Sequence, residues 1–239
     1  MKTVISWWSG GVTSTVATKI ALENYENVQI YFCETNQHHP DNIRFLKDCE
    51  KWYGQKINIL TNTKWMSVEK VLEHGYINGP GGAYCTKVLK KDVRIKLEKI
   101  VDFDYQVFGF EYESRQIKRG KRFIEQYPDS KAVFPLIDEE INKFKAMEIL
   151  REAGIELPAM YKLGYSNANC VGCVKGGKGY WNKIRNDFPE IFKRTAELER
   201  KAEHTCINGV YLDELDPDAG RFESIELPEC GIYCEVENL

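Results

Sequence analysis

Short apolar runs alternate with stretches of helical periodicity over the first 110 residues. Residues 3–8 form a β-branched and aromatic run that predicts a strand, and Val12, Val16 and Ile20 then recur on one face of a helix over residues 12–24. Residues 28–33 predict a second strand. Ile43, Leu46, Cys49 and Tyr53 lie on one stripe of a helix over 41–53, and a third strand (57–60) and a helix (67–74) follow. Residues 86–100 read as a longer helix, and 105–110 and 133–137 as further strands. Strands separated by helices imply parallel βαβ units with right-handed crossovers. The expected fold class is therefore α/β with a doubly wound, mostly parallel sheet, whose ligands sit at the carboxyl ends of the strands. Beyond a helix over 139–153 the chain is broken by Gly, Pro, Asn and Cys, apart from a helix over 189–202. This predicts an α/β body over residues 1–155 and a Cys-bearing region over 156–239 that packs on its ligand edge.

Composition narrows the class. The chain has 239 residues, 43% of them hydrophobic and 29% charged, which fits a packed body and excludes disorder and collagen-like repeats. No apolar run approaches the roughly 18 residues of a membrane span, and the N-terminus enters a strand pattern instead of a signal peptide. The expectation is a cytoplasmic protein without a membrane partner. Eight cysteines are then the anomaly, because a reducing compartment favours metal binding or redox chemistry over structural disulfides.

Net charge is −3, against simple nucleic-acid coating, but it is unevenly spread. Residues 86–99 carry six cations and two acids, a pattern that a solvated helix face explains. Residues 114–122 carry five cations and no acid: Arg115, Lys118, Arg119, Lys121 and Arg122. They follow a strand, so Arg115 with Arg119 or Arg122, and Lys118 beside them, are candidates for an anion clamp; a solvated helix is the plain alternative. Lys175 stands among glycines after a CxxC as a second candidate anion contact. His38 and His39 are candidate acid/base groups, although His39-Pro40 also suits a loop before a helix.

Ser9-Gly10-Gly11-Val12-Thr13-Ser14 falls where the first strand should turn into the first helix. Two glycines let the backbone approach an anion, hydroxyls flank them, and the helix amino terminus adds N–H donors and a favourable dipole. Ser9, Gly10, Gly11, Thr13 and Ser14 are thus candidate phosphate-binding residues. Neither the Walker pattern nor the dinucleotide pattern fits.

Cys170-Val171-Gly172-Cys173 is a CxxC in a Gly- and Asn-rich loop, a spacing that brings two thiolates to one metal or cluster. Cys85 follows a Gly-rich loop near a helix start, where the dipole favours thiolate. An iron–sulfur cluster, a tetrathiolate zinc and free or redox-active thiols all fit this set. Cys49 reads as core, and Cys206 has no assigned role.

Ser9 to Ser14, residues 39–46, residues 169–177 and Glu229-Cys230-Gly231-Ile232-Tyr233-Cys234 together resemble the phosphoadenosine phosphosulfate (PAPS) reductase-like branch of the PP-loop, or adenine nucleotide alpha hydrolase, superfamily. The resemblance implies a PP-loop holding the phosphates of an adenine nucleotide (ATP, adenosine phosphosulfate or PAPS), with adenine near Cys33 and Glu34. It also implies a [4Fe-4S] cluster on Cys85, Cys170, Cys173 and a fourth cysteine, Cys234 or Cys230, and a C-terminal nucleophile, Cys230, resolved by a thioredoxin-like dithiol. Cys230 thereby also stands as a possible cluster ligand or half of a resolving pair with Cys234. Thr13 replaces the Asp usual in ATP-cleaving members, and Tyr233 replaces the His of the reductase tail. Three activities follow as expectations: sulfonucleotide reduction, in which Cys230 and Arg115 are catalytic; an ATP pyrophosphatase, working with magnesium, that adenylylates a substrate for thiolation of a base or nucleic acid; and a non-catalytic nucleotide-binding module. A homo-oligomer is compatible with each.

Overall fold

The computed structural model describes residues 2–79 and 82–221. The elements in chain order are β1 (Thr3–Trp7), α1 (Val12–Asn24), β2 (Asn27–Cys33), α2 (Asn42–Tyr53), β3 (Asn58–Leu60), α3 (Val68–Glu73), β4 (Asn78–Gly79), β5 (Gly82–Ala83), α4 (Tyr84–Thr86), a π-helical turn (Lys87–Lys91), α5 (Asp92–Glu98), β6 (Tyr105–Val107), α6 (Ser114–Gln126), β7 (Ala132–Val133), α7 (Pro135–Asp138), α8 (Lys143–Glu152), α9 (Ala159–Lys162), α10 (Lys178–Asp187) and α11 (Pro189–Ala202). None is long and apolar enough to cross a membrane, among the described residues.

The main sheet has the order β3-β2-β1-β6-β7, and β1 pairs in parallel with both β2 and β6, as β6 does with β7. This is the α/β, mostly parallel, doubly wound sheet expected from the alternating pattern. From β1 the chain builds outward to β2 and β3, then returns to lay β6 on the other side. The crevice at the carboxyl ends of β1 and β6 is therefore the topological switch point, where folds of this kind bind ligands.

Two predicted elements come out differently. The strand expected over 133–137 is only Ala132–Val133, because Pro135 has no N–H for a ladder and its fixed φ instead opens α7. The helix expected over 86–100 is interrupted by a π-helical turn. The β4–β5 hairpin and α10 were not anticipated, and α6 is the helix that the sequence offered as the plain alternative for its basic segment.

The chain forms two compact units. The first comprises residues 1–32, 40–60 and 97–159; the second comprises 33–39, 61–96 and 160 onward. The chain thus passes between units several times, where the sequence suggested one passage near 155. Core packing in the first unit involves the fully buried Val4, Ile5 and Phe45 and an aromatic group in which Phe110 stacks on Phe134 at 5.0 Å. The second unit has its own core, built on Leu89, Met160, Trp181, Ile184 and Leu212 among others.

One close approach fixes the switch point. A Cβ on Gly109, just past β6, would lie 2.5 Å from both Cα and N of Ser14. Only glycine lets the β6 exit pass that near the α1 amino terminus. Gly109→Ala is expected to destabilise the protein by about 2–3 kcal/mol, the cost of overpacking against backbone, measured by urea denaturation.

Candidate functional site

In the first unit, the turn from β1 to α1 is tied by its own hydroxyls. Ser9 donates to Ser14 Oγ from its backbone N–H (3.0 Å) and its hydroxyl (2.9 Å), and Ser14 donates onward to the Gly11 carbonyl at 3.0 Å. Thr15 Oγ1 also reaches that carbonyl (2.9 Å) while accepting from Trp8 Nε1 (2.9 Å). Gly10 has φ +81°, a left-handed conformation that a side chain would strain. Gly11 is the N-cap of α1 and offers no side chain, and the first turn carries no acid. Every local choice thus leaves the positive end of a 13-residue helix open to an external anion.

Asn42, at the start of α2, supplies a second, independent sign of a ligand. It is 7% exposed, and neither its amide nitrogen nor its amide oxygen has a hydrogen-bond partner. Its Nδ2 lies 3.3 Å from the point a Cβ on Gly10 would occupy. A buried amide left unpaired costs roughly 1–3 kcal/mol, so a group that accepts from it would recover that loss. The sequence reading had Asn42 only inside the stretch that carries the family resemblance; no periodicity signals an orphan amide.

The anion-clamp candidates lie on α6 of the same unit. Arg115 and Lys118 are exposed on its first turns, whereas Arg119 packs over the Phe110 ring at 4.6 Å and Glu111 pairs with Lys143 at 3.4 Å. Cys49 is core, as expected, and burial pushes its thiol up to about 12.

The second unit gathers the cysteines. The 33–38 segment and the CxxC loop are stitched together: Val171 N–H donates to the Gln37 carbonyl (2.8 Å), Gln37 Nε2 to the Val171 carbonyl (3.1 Å), and Thr35 Oγ1 meets Cys170 Sγ at 3.1 Å. Tyr180, fully buried, braces the loop by accepting from Cys173 N–H (2.8 Å) and donating to the Cys170 carbonyl (3.2 Å). Gly172 has φ +74°, and a Cβ there would meet Ile191 at 2.7 Å. Cys170, Cys173 and Cys206 are buried in one apolar cluster, and Cys85 packs against it. Lys175 follows, half-buried. Among the described residues, no three His, Cys, Asp or Glu side chains form a group that could hold a metal ion. Cys230 and Cys234 lie outside the described residues.

Two cations inside this unit were missed. Lys90 and Arg94 are 8% and 4% exposed, although their segment reads as a solvated face. The signal was in the spacing, because in sequence the two cations fall at three- and four-residue intervals among apolar positions, Leu89, Val93 and Leu97, that are buried with them. Both act on Cys33, whose thiol burial nevertheless pushes up to about 12. Cys33 is therefore a neutral group beside two buried positive charges. Glu34 accepts from the backbone N–H groups of Thr35 and Asn36, both at 2.7 Å, and pairs with His38 at 2.9 Å. Burial opposes its ionisation, but His38 and these N–H groups outweigh burial and hold its carboxyl at about 2.

Most of the chain, residues 3–176, matches the phosphoadenosine phosphosulfate reductase domain. The chain belongs to the PAPS reductase family. This is a family of nucleotide-binding, sulfur-related enzymes, as the resemblance implied. Two uncharacterized proteins of Methanocaldococcus jannaschii are similar to it: one 24% identical over 207 residues, which are 84% of this chain and 42% of that protein, the other 22% identical over 200 residues, 81% and 47%. The chain spans less than half the length of these curated relatives. Among solved structures, PAPS reductase from Candida auris, a phosphate complex, shares the fold (TM-score 0.54, 14% identity, 71% of this chain and 82% of that one). A looser likeness, to U34-tRNA thiolase NcsA of Methanococcus maripaludis with its [4Fe-4S] cluster, has TM-score 0.44 and 15% identity over 85% of this chain and 72% of that one.

The depressed Glu34 carboxyl predicts a pH signature. A carboxylate favoured in the folded state stabilises it above the unfolded value near 4.3 and loses that effect as pH falls towards about 2. Glu34→Gln should cost about 1–2 kcal/mol at pH 7 after solvent screening, and chemical denaturation at pH 7 and pH 3 should show the gap narrowing with acid.

Proposed function

We propose that this chain is a sulfonucleotide reductase-like enzyme that binds an adenine nucleotide by its phosphates on Ser9 to Ser14. The observation that carries this reading is the open α1 amino terminus at the switch point, with the orphaned Asn42 amide beside Gly10. Both features favour a ligand that accepts hydrogen bonds and carries negative charge, and membership of the PAPS reductase family supports an adenosine phosphosulfate or its 3′-phosphorylated form.

In the proposed reaction the Cys230 thiolate attacks the sulfonate sulfur. An S–S bond forms, the sulfur–oxygen bond to the nucleotide breaks, and the nucleotide phosphate leaves with that electron pair. A dithiol donor of the thioredoxin class then reduces the enzyme thiosulfonate: sulfite departs, the donor becomes a disulfide, and Cys230 regains its thiol. The sequence Glu229-Cys230-Gly231-Ile232 supports this role for Cys230. The guanidinium of Arg115 and the ammonium of Lys118, exposed on α6, suit the sulfate and phosphate oxygens.

An iron–sulfur cluster is part of the proposal. Cys85, Cys170 and Cys173 would hold it, and their chemistry fits: Cys170 and Cys173 are buried in one apolar cluster with Cys85 packed against it, and thiolates in such surroundings are stabilised by a cation. When bound, such a group supplies electrostatic stabilisation or electron transfer.

The test compares binding and products on anaerobically prepared protein. Adenosine phosphosulfate or PAPS should raise the melting temperature, and sulfite should appear with a dithiol donor. Pyrophosphate release from ATP without sulfite would replace this reading with the ATP pyrophosphatase, and no response to any adenine nucleotide would overturn it. Asn42→Ala should weaken nucleotide binding by about 10–100-fold, the equivalent of one hydrogen bond to a charged group. The apo-protein should melt no lower than wild type, because an unpaired amide is removed.

A further inference from the structure

The second unit contains a cysteine to which sequence reasoning gave no role. Cys206 is 8% exposed and belongs to the same apolar cluster as Cys170 and Cys173, with Cys85 packed against it. A small buried hydrophobe would account for its burial alone. It does not account for how strongly the surrounding backbone is fixed.

Glu199, fully buried on α11, accepts the backbone N–H of Cys206 with one carboxylate oxygen (2.5 Å) and that of Leu212 with the other (2.7 Å). Burying a carboxylate is costly, and burial pushes its proton affinity up despite the two N–H groups. Here that cost goes into setting the position of one short loop. The loop is also tied to the segments that carry the other cysteines. The His204 ring bonds the Asn78 carbonyl at the hairpin leading to Cys85, and Asn78 Nδ2 donates to the Val174 carbonyl, next to Cys173, at 3.0 Å. Three segments far apart in sequence are thus fastened one to another, and each presents cysteine to one core. Cys173 and Cys85 are also charge neighbours of Cys206, acting on it after burial and Glu199.

We propose that Cys206, and not a cysteine of the C-terminal segment, is the fourth thiol of the Cys85, Cys170 and Cys173 set, and that the four hold one iron–sulfur cluster. This rests on the cluster reading given under Proposed function and supplies the fourth ligand, which the family resemblance had placed on Cys234 or Cys230. Glu199 is then a positioning residue for one ligand. With the cluster closed by Cys206, both Cys230 and Cys234 are left for thiol chemistry.

The test is anaerobic reconstitution of the full chain with iron and sulfide, reading metal and sulfide per chain and the visible spectrum. Wild type, Cys230→Ser and Cys234→Ser should each hold about four irons with the same absorbance, and Cys206→Ser should lose at least half of both. Full loading of Cys206→Ser, or loss of loading in Cys234→Ser, would overturn the assignment while leaving a cluster in place. A colourless, iron-free wild type would instead sink the cluster reading itself. Because Cys206 is buried, its variant could fail to fold, so the wild type is also compared with and without cluster by hydrogen exchange. Amides from Cys206 to Leu212 should exchange at least tenfold more slowly in the loaded protein. Equal exchange in the two forms would overturn the proposal.

Discussion

The first unit depends on one steric constraint, the passage of the β6 exit against the first turn of α1. Gly109 lies against Ser14 with no room for a methyl group, and Gly10 turns through a conformation that side chains resist. These glycines set the width of the switch-point crevice, because everything else in the turn is hydrogen bonding through its hydroxyls that follows once the two backbones meet. The helix dipole, the uncapped Gly11 and the orphaned Asn42 amide then have a common direction of effect: each is satisfied by an acceptor brought from outside. A turn made only for stability would cap its helix with Ser, Asp or Asn.

The second unit follows an opposite logic, in which charge is taken inside. Lys90 and Arg94 are buried cations, Glu199 is a buried anion, and several thiols lie in an apolar cluster. Buried charge is tolerated when it is paired or when it orders something else. Glu199 orders the loop of Cys206, and Glu34, with His38 and two backbone N–H groups, orders the turn that meets Cys170.

Alternating periodicity was enough to read the parallel sheet, α1, α2, α11 and the glycine turn, because each depends on contacts within a few residues or on one repeating face. Elements whose outcome depends on distant partners were not legible. Pro135 turned an expected strand into a helix start, and the short β4–β5 hairpin carries no alternating pattern at all. For the candidate site, the PP-loop and CxxC could be found because their residues are consecutive. Asn42, Lys90, Arg94 and Cys206 matter through burial, which one residue's type does not reveal. Lys90 and Arg94 did leave a trace, as cations at three- and four-residue intervals among apolar positions.

The π-helical turn at Lys87–Lys91 has a geometric consequence of its own. One extra residue in a helical turn rotates all that follows by about 100° relative to an unbroken α-helix. The direction in which Cys85 faces and the direction in which Arg94 faces are therefore set separately, although only nine positions part them. A helix without the insertion would lock thiol and cation into one phase relation. The π-turn works as a phase shifter, letting one rod present two chemistries at angles that a regular spiral forbids.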